Sequence, residues 1–200
     1  MKTRRWRQTG AALIAAGIVS TGCSQPKSAP SNRPGTAVLD TKQVAAALPD
    51  TNAVPPGWTK TKTPQHDDTP QDTGRTAHAT AGYHAPDLDG TVTFSISSFH
   101  STTTATEHLT FSRTQYDSGV APLTLPGTDQ AFSTHGCLVE SLCNASIHAQ
   151  VGTTVISINI DTNTHNYHSP DPQTLNTVTR MQITRIQQTQ QGKTPTATTP

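Results

Sequence analysis

The sequence is poor in charged side chains and in aromatic side chains. Only 14% of its 200 residues are charged and 4% are aromatic. It contains no run of basic residues of the kind that nucleic-acid-binding proteins carry, so no nucleic-acid partner is expected. Threonine and serine are abundant instead. A surface of this composition suits a secreted protein, although it also fits a partly disordered one.

The sequence has no apolar run after the N-terminus that is long enough to span a membrane. The run from Gly10 to Val19 is uncharged, but a spanning helix needs roughly 20 residues. Because the basic stretch Lys2–Arg7 precedes it, residues 1–22 are typical of a signal peptide. The pair Arg4-Arg5 fits a twin-arginine export signal, yet the hydrophobic residue usual two places later is absent. An ordinary basic leader is the preferred interpretation.

Small residues stand directly before a cysteine, in the stretch Ser20-Thr21-Gly22-Cys23. This stretch resembles the lipobox of bacterial prolipoproteins, although Ser20 replaces the leucine that the box favours. In that family a diacylglycerol is attached to the cysteine thiol, and cleavage makes the cysteine the first residue. The resemblance implies a lipid anchor on Cys23 at the extracytoplasmic face of the cell membrane, where two acyl chains hold firmly. The alternative is an ordinary secretory signal.

The remaining two cysteines are Cys137 and Cys143. An even pair in an oxidising compartment predicts a disulfide bond. A loop this short would gain about 2–3 kcal/mol of stability from the bond in the chain-entropy account. The alternative is a reactive or metal-binding pair, but no third and fourth ligand stands at zinc-finger spacing.

The mature chain divides into a linker, one folded domain and a tail. Residues 23–37 are rich in Pro, Ser and Gly, which predicts a flexible linker. Residues 38–187 are enough for one domain and hardly for two. Residues 188–200 form a polar Thr/Pro-rich segment, which predicts a disordered tail. The Thr-Pro pattern would also accept O-linked sugars.

Three segments of the domain fit helices. Asp40–Leu48 begins with a capping residue and continues in helix formers. Ser101–Ser118 also begins with a capping residue and has an apolar stripe. Ser169–Gln187 opens with proline at the first helical positions and an acidic residue in the first turn. Residues 63–74 are polar and contain proline, and they are predicted to form a loop.

Alternating apolar and polar residues predict two hairpins. Thr76–Ala81 and Thr91–Phe99 form the first. Asn144–Val151 and Thr154–Asp161 form the second, around a type II′ turn at Gly152-Thr153. The implied register pairs Val151 with Thr154, Ala149 with Ile156, Ile147 with Ile158 and Ala145 with Ile160. A slip of one residue would scatter these apolar side chains. The sum is an α+β domain, an antiparallel sheet with helices packed on one face.

The order of these elements, together with Pro56-Gly57-Trp58 and the stretch Gly127–Phe132, resembles the small extracellular lipoproteins of actinobacteria. Their fold is similar to the external sensor domain of PknH-type Ser/Thr kinases. The resemblance covers roughly residues 38–188. It implies an extracytoplasmic binding or sensing module with a cleft, and it carries over no functional residue.

No pattern identifies a catalytic, cofactor or metal site, so an enzyme is not expected. The sequence has no GxSxG, no phosphate-binding Gly-rich loop and no HExxH. Nine histidines are present: His66, His78, His84, His100, His108, His135, His148, His165 and His168. His165 and His168 would share a helical face, with Asp161 upstream, and could hold zinc. They lie in a polar stretch before Pro170, so exposure to solvent is the preferred interpretation.

Three hypotheses about function remain. The first is a tethered binding or sensing module for a small ligand, a lipid, a wall fragment or an envelope protein, which predicts a concave patch of apolar side chains left open after the sheet is covered. The second is a secreted metal-dependent hydrolase, which predicts three converging His or acidic side chains. The third is a domain that only scaffolds other envelope proteins.

Overall fold

A twisted antiparallel sheet is the centre of the computed structural model. The structure describes residues 36–67, 74–116, 118–139, 142–162 and 172–200. These residues belong to one compact unit. The predicted signal peptide, the lipidation site Cys23 and most of the linker lie outside the described residues, as do His165 and His168.

Seven strands and three α-helices are formed by the described part of the chain. The strands are β1 (Thr59–Asp67), β2 (Arg75–Ala85), β3 (Gly90–Phe99), β4 (Val120–Leu123), β5 (Gln130–Val139), β6 (Leu142–Val151) and β7 (Thr154–Thr162). The helices are α1 (Thr41–Ala47), α2 (Thr102–Thr114) and α3 (Pro172–Gln190), and a 3-10 turn covers Pro86–Leu88. The strand order is β1-β2-β3-β7-β6-β5-β4, with every neighbouring pair antiparallel. The predicted α+β class is confirmed.

The β6–β7 hairpin has the predicted register. Val151 pairs with Thr154, Ala149 with Ile156, Ile147 with Ile158 and Ala145 with Ile160. Gly152 has a φ of 60°, whereas Thr153 is not among the residues with positive φ. Positive φ at the first turn position alone identifies a type II′ turn, as predicted. The hairpin of β2 and β3 is confirmed as well, with Ala79 opposite Ile96.

The first face of the sheet carries the main hydrophobic core, and α1 and α3 cover it. Ile156, Ile158 and Ile160 of β7 are fully buried there. Helix α1 begins as predicted, because Asp40 accepts a hydrogen bond from the Gln43 amide at 2.8 Å and the Gln43 side chain accepts one from the Asp40 amide at 2.9 Å. These two bonds form a capping box.

Helix α2 lies on the second face of the sheet. The expected placement of helices on one face thus holds for α1 and α3, while α2 packs on a separate small cluster: Phe99, Ala105, Leu109, Phe132 and Val155. Val155 alternates with the isoleucines of the main core, so it points to the opposite side. Ser101 caps α2 and accepts a hydrogen bond from the Thr104 amide at 3.1 Å. The helix ends at Thr114, earlier than the predicted Ser118.

Two predictions about irregular segments were wrong. Residues 63–67 were predicted to be loop but form the end of the edge strand β1, which pairs with β2 through irregular register. Its polar sequence lacks apolar alternation, so only the partner strand reveals it. The tail, predicted to be disordered, instead lies against α3, where the Thr196 amide donates to Gln188 Oε1 at 2.8 Å, and the Thr199 amide donates to the Ala53 carbonyl at 2.9 Å. Arg185 and Gln188 of α3 hold it there.

Candidate functional site

A polar cluster lies between α2 and the second face of the sheet. His148 of β6 is its centre and is only 7% exposed. Its Nδ1 atom is 2.9 Å from Ser157 Oγ, and its Nε2 atom is 3.1 Å from the Tyr116 hydroxyl. The imidazole also stacks on Phe132, with ring centroids 4.7 Å apart and planes 16° apart. Both ring nitrogens and one ring face are therefore engaged.

The electrostatic environment keeps His148 neutral. Burial, and secondly the neighbouring His108, lower the pKa of His148 to about 4. Burial also raises the pKa of Tyr116, an effect opposed by a hydrogen bond with Thr134. No carboxylate contacts His148 among the described residues. A neutral imidazole with so low a pKa is a weak base near pH 7, so this cluster orients the Tyr116 hydroxyl rather than activating it.

Tyr116 is 38% exposed and faces a depression between the end of α2 and β4. The depression has a volume of about 400 Å³. Its lining consists of Thr110, Arg113, Thr114, Tyr116, Ser118, Gly119 and Val120. Thr110 and Arg113 also line a smaller depression of about 80 Å³ that reaches Phe132 and Gln130. These two α2 residues therefore connect a polar surface to the aromatic cluster underneath.

A third depression, on the other side of α2, has a volume of about 200 Å³. It is lined by Thr104, Glu107, His108 and Phe111, and Phe111 is 63% exposed. His108 packs on Phe99 with ring centroids 4.8 Å apart. Burial and secondly Arg75 lower the pKa of His108. This side of α2 is more apolar, with fewer hydrogen-bonding groups than the Tyr116 side.

Gln150 fixes the position of α2 on the sheet. It is 2% exposed. Its Nε2 atom donates to the Thr102 carbonyl at 3.1 Å and to the Gly152 carbonyl at 2.9 Å. Its Oε1 atom accepts from Thr106 at 3.0 Å and from Gln130 at 2.8 Å. The fully bonded amide ties the first turns of α2 to the β6–β7 turn, so it fixes the start of the helix on the sheet.

The structure joins Cys137 and Cys143 in a disulfide bond. They are directly opposite each other in β5 and β6, with Cα atoms 4.0 Å apart. Cys143 is buried and Cys137 is exposed, so the bond closes the end of this hairpin rather than lining a depression.

Among the histidine side chains that the structure describes, His108 and His148 are neighbours. His78 is 3.0 Å from Ser97 Oγ, and His100 is 2.9 Å from the Gly74 carbonyl. His84 and His135 are exposed. Within the described ranges, no three His, Cys, Asp or Glu side chains are grouped so as to hold a metal ion. The zinc arrangement of His165 and His168 lies outside those ranges.

Comparison with solved structures gives a likeness in fold. No protein-family model matches the chain, and no curated protein matches it. The extracellular domain of PknH from Mycobacterium tuberculosis is similar in fold, with a TM-score of 0.49 and 12% sequence identity over 79% of this chain and 97% of that one. The resemblance stated from the sequence is to the same sensor domain. At this identity the likeness assigns no ligand and no residue role.

In the described part of the chain no helix is both long and apolar enough to cross a membrane.

Proposed function

We propose that this chain is a lipoprotein anchored through Cys23 at the extracytoplasmic face of the cell membrane, and that its domain binds a ligand beside α2. The observation that carries the ligand site is the half-exposed Tyr116 hydroxyl, held at the edge of an open depression by a buried neutral histidine. A binding site gains affinity when its polar groups are fixed before the ligand arrives.

The lining of this depression favours a hydroxylated ligand over a lipid. Besides Tyr116, its lining includes Thr110, Ser118 and Arg113, whose side chains carry hydroxyls and a guanidinium. Aromatic surface with a few convergent polar groups is the usual composition of small-molecule sites. We therefore favour a saccharide such as a wall fragment. A purely scaffolding role would leave the depression without a ligand.

The anchor is tested by intact-mass spectrometry on the protein from the membrane fraction of its host. The expected product begins at Cys23 and carries a diacylglyceryl group, and the Cys137–Cys143 bond opens on reduction with a gain of two hydrogens. Cys23→Ser should release the protein from the membrane. A wild-type chain without lipid would contradict the anchor, and it would leave the ligand site to be tested separately.

The ligand site is tested by amide NMR spectra of the protein during titration with N-acetylmuramic acid, with laurate as the apolar comparison. The saccharide should shift resonances of residues 110–120 and 130–132. Arg113→Ala should weaken binding by about fivefold, roughly 1 kcal/mol. Arg180→Ala is the matched control, because Arg180 is an exposed arginine on α3. Shifts caused by laurate alone would favour a lipid ligand, and shifts by neither probe would favour the scaffold.

A further inference from the structure

The last eight residues reverse direction at the end of α3 and return along it. Gly192 has a φ of 71°, a conformation that glycine adopts without strain. The Lys193 amide donates to the Gln188 carbonyl at 2.9 Å, and the Gly192 amide donates to the Thr189 carbonyl at 2.9 Å. These are the two bonds of a Schellman motif, which ends the helix and sets the direction of the chain after it.

The Gln188 side chain binds the backbone of the returning segment. Its Oε1 atom accepts hydrogen bonds from the amides of Thr196 at 2.8 Å and Ala197 at 3.3 Å. Its Nε2 atom donates to Thr196 Oγ1 at 3.2 Å. Further along, the Thr199 amide donates to the Ala53 carbonyl at 2.9 Å. Most of these contacts recognise main-chain atoms, which any extended peptide with free amides offers.

Arg185 of α3 also binds the returning segment, through the Ala197 carbonyl. It is 4% exposed, and its three nitrogens donate to the carbonyls of Ala47, Leu48 and Ala197 at 3.0–3.1 Å. Two of these acceptors belong to the end of α1, and the third belongs to the returning segment. The tail carbonyl thus supplies one of the three acceptors of a buried guanidinium, and the loss of an acceptor for a buried donor is costly.

Side chains of the segment alternate between partly buried and exposed. Pro195, Ala197 and Thr199 are partly buried, whereas Thr194, Thr196 and Thr198 are exposed. Ala197 packs against the main core. The inward positions hold small side chains, and Pro195, which has no amide hydrogen, stands where no acceptor is needed. An extended peptide with small residues at alternate positions fits this surface.

We propose that the surface made by α3 and residues 47–53 is a binding site for extended peptides rich in Thr, Ala and Pro, and that residues 193–200 are its intramolecular occupant. The site lies on the first face of the sheet, so it is separate from the ligand site beside α2. A peptide segment of a partner chain would bind there in place of the tail, through the same backbone contacts.

Competition from the tail determines how tightly an external peptide binds to the site. A segment joined by a short connection has an effective concentration in the millimolar range. An external peptide should therefore bind weakly to the wild-type chain and strongly only after the tail is displaced. Displacement needs a change confined to the tail, so that the site itself stays intact.

The test uses the full chain with Ala197→Asp, which puts a charge where Ala197 packs. A fluorescent peptide of residues 193–200 with the natural sequence is the probe, and anisotropy is the readout. The peptide should bind Ala197→Asp at least about tenfold more tightly than the wild type. Thr198→Asp is the matched control, because Thr198 is the exposed neighbour. It should behave like the wild type. A probe that carries the same Ala→Asp change should not bind.

A second variant covers the case in which the Ala197→Asp substitution alone does not displace the tail. Ala197→Asp combined with Thr199→Pro also removes the amide that donates to Ala53. If the natural probe binds neither variant, or binds the wild type equally well, the proposal is overturned and the tail is only a packing element. If sedimentation shows dimers of the wild type that Ala197→Asp abolishes, the external occupant is the tail of a second copy, which supports the site.

Discussion

The two faces of the sheet differ in what stabilises them. The first face, under α1 and α3, is a continuous apolar core in which Ile156, Ile158 and Ile160 are fully buried. The second face has only a five-residue cluster under α2, and around it lie hydrogen-bonded histidine, glutamine, serine and threonine side chains. Hydrophobic burial should therefore dominate stability on the first face. Hydrogen bonding and protonation should matter more on the second, where the candidate ligand site lies.

The largest effect is expected from a cavity in the first face. Ile158→Ala should lower the free energy of unfolding by about 4 kcal/mol, because Ile158 is fully buried between Phe94 and Ile147. Val155→Ala, on the same strand but facing α2, should cost roughly 2 kcal/mol. Guanidinium chloride denaturation measures both. Equal losses would contradict the difference between the faces.

Substitution of Arg185 measures how much one buried polar side chain contributes to stability on the apolar first face. Arg185→Ala removes the donor to the Leu48 and Ala197 carbonyls and one of the two donors to the Ala47 carbonyl, and it should cost about 3 kcal/mol. Arg180→Ala is the control, since an exposed arginine on the same helix should change stability by less than about 0.5 kcal/mol. The same denaturation experiment applies. A loss from Arg185→Ala no greater than the control would show that water replaces these bonds.

The difference between the faces also explains what the sequence could predict. On the first face, alternation of apolar residues specified the β6–β7 register pair by pair, and capping residues located the starts of α1 and α2. On the second face, Ser157 and His148 alternate like solvent-facing residues. The partner Tyr116 is 32 residues away from His148, so only the tertiary structure brings them together.

The returning tail was unpredictable for a related reason. Its segment has no large apolar side chain, which is the property that predicts disorder. Its order depends on Arg185 and Gln188, whose positions on the inner side of α3 are visible only once the helix is packed. Charged and amide side chains at such positions look like solvent-facing residues in a helical pattern.

Protonation of His148 on the second face should destabilise the folded protein as the pH falls. Unfolded histidine binds a proton with a pKa near 6.5, whereas the pKa of His148 is about 4 in the folded protein. The unfolded state therefore binds more protons between these values, and stability should fall as the pH drops from about 6.5 to about 4. The loss from this residue corresponds to roughly 3 kcal/mol. His108, whose pKa is also lowered, adds in the same direction.

Unfolding by urea at several pH values checks this expectation. His148→Asn should flatten the pH dependence between about pH 4 and 6.5, because it removes the group that titrates. His84→Asn is the control, since His84 is exposed and should leave the dependence unchanged. If His148→Asn keeps the wild-type slope, the protons are bound elsewhere, and the second face would not be the proton-sensitive one.

The smallest effect is expected from removing a single hydroxyl, and the chain offers the same substitution on both faces. Tyr83→Phe removes a buried hydroxyl that donates to the Pro49 carbonyl, and it should cost about 1.5 kcal/mol. Tyr116→Phe removes the hydroxyl that is the partner of His148 Nε2. Because Tyr116 is 38% exposed, water can reach the position of the lost hydroxyl. The free energy of unfolding should therefore fall by only about 0.5 kcal/mol.

For ligand binding we expect the larger effect from Tyr116→Phe, whereas for stability we expect it from Tyr83→Phe. If Tyr116 orients the ligand, Tyr116→Phe should weaken N-acetylmuramic acid binding by about fivefold, whereas Tyr83→Phe should leave it unchanged. Titrations followed by NMR measure both variants. A Tyr116→Phe protein that binds as well as the wild type would show that the His148–Tyr116 pair supports the fold alone. The ligand contacts would then have to come from Arg113 and the α2 threonines.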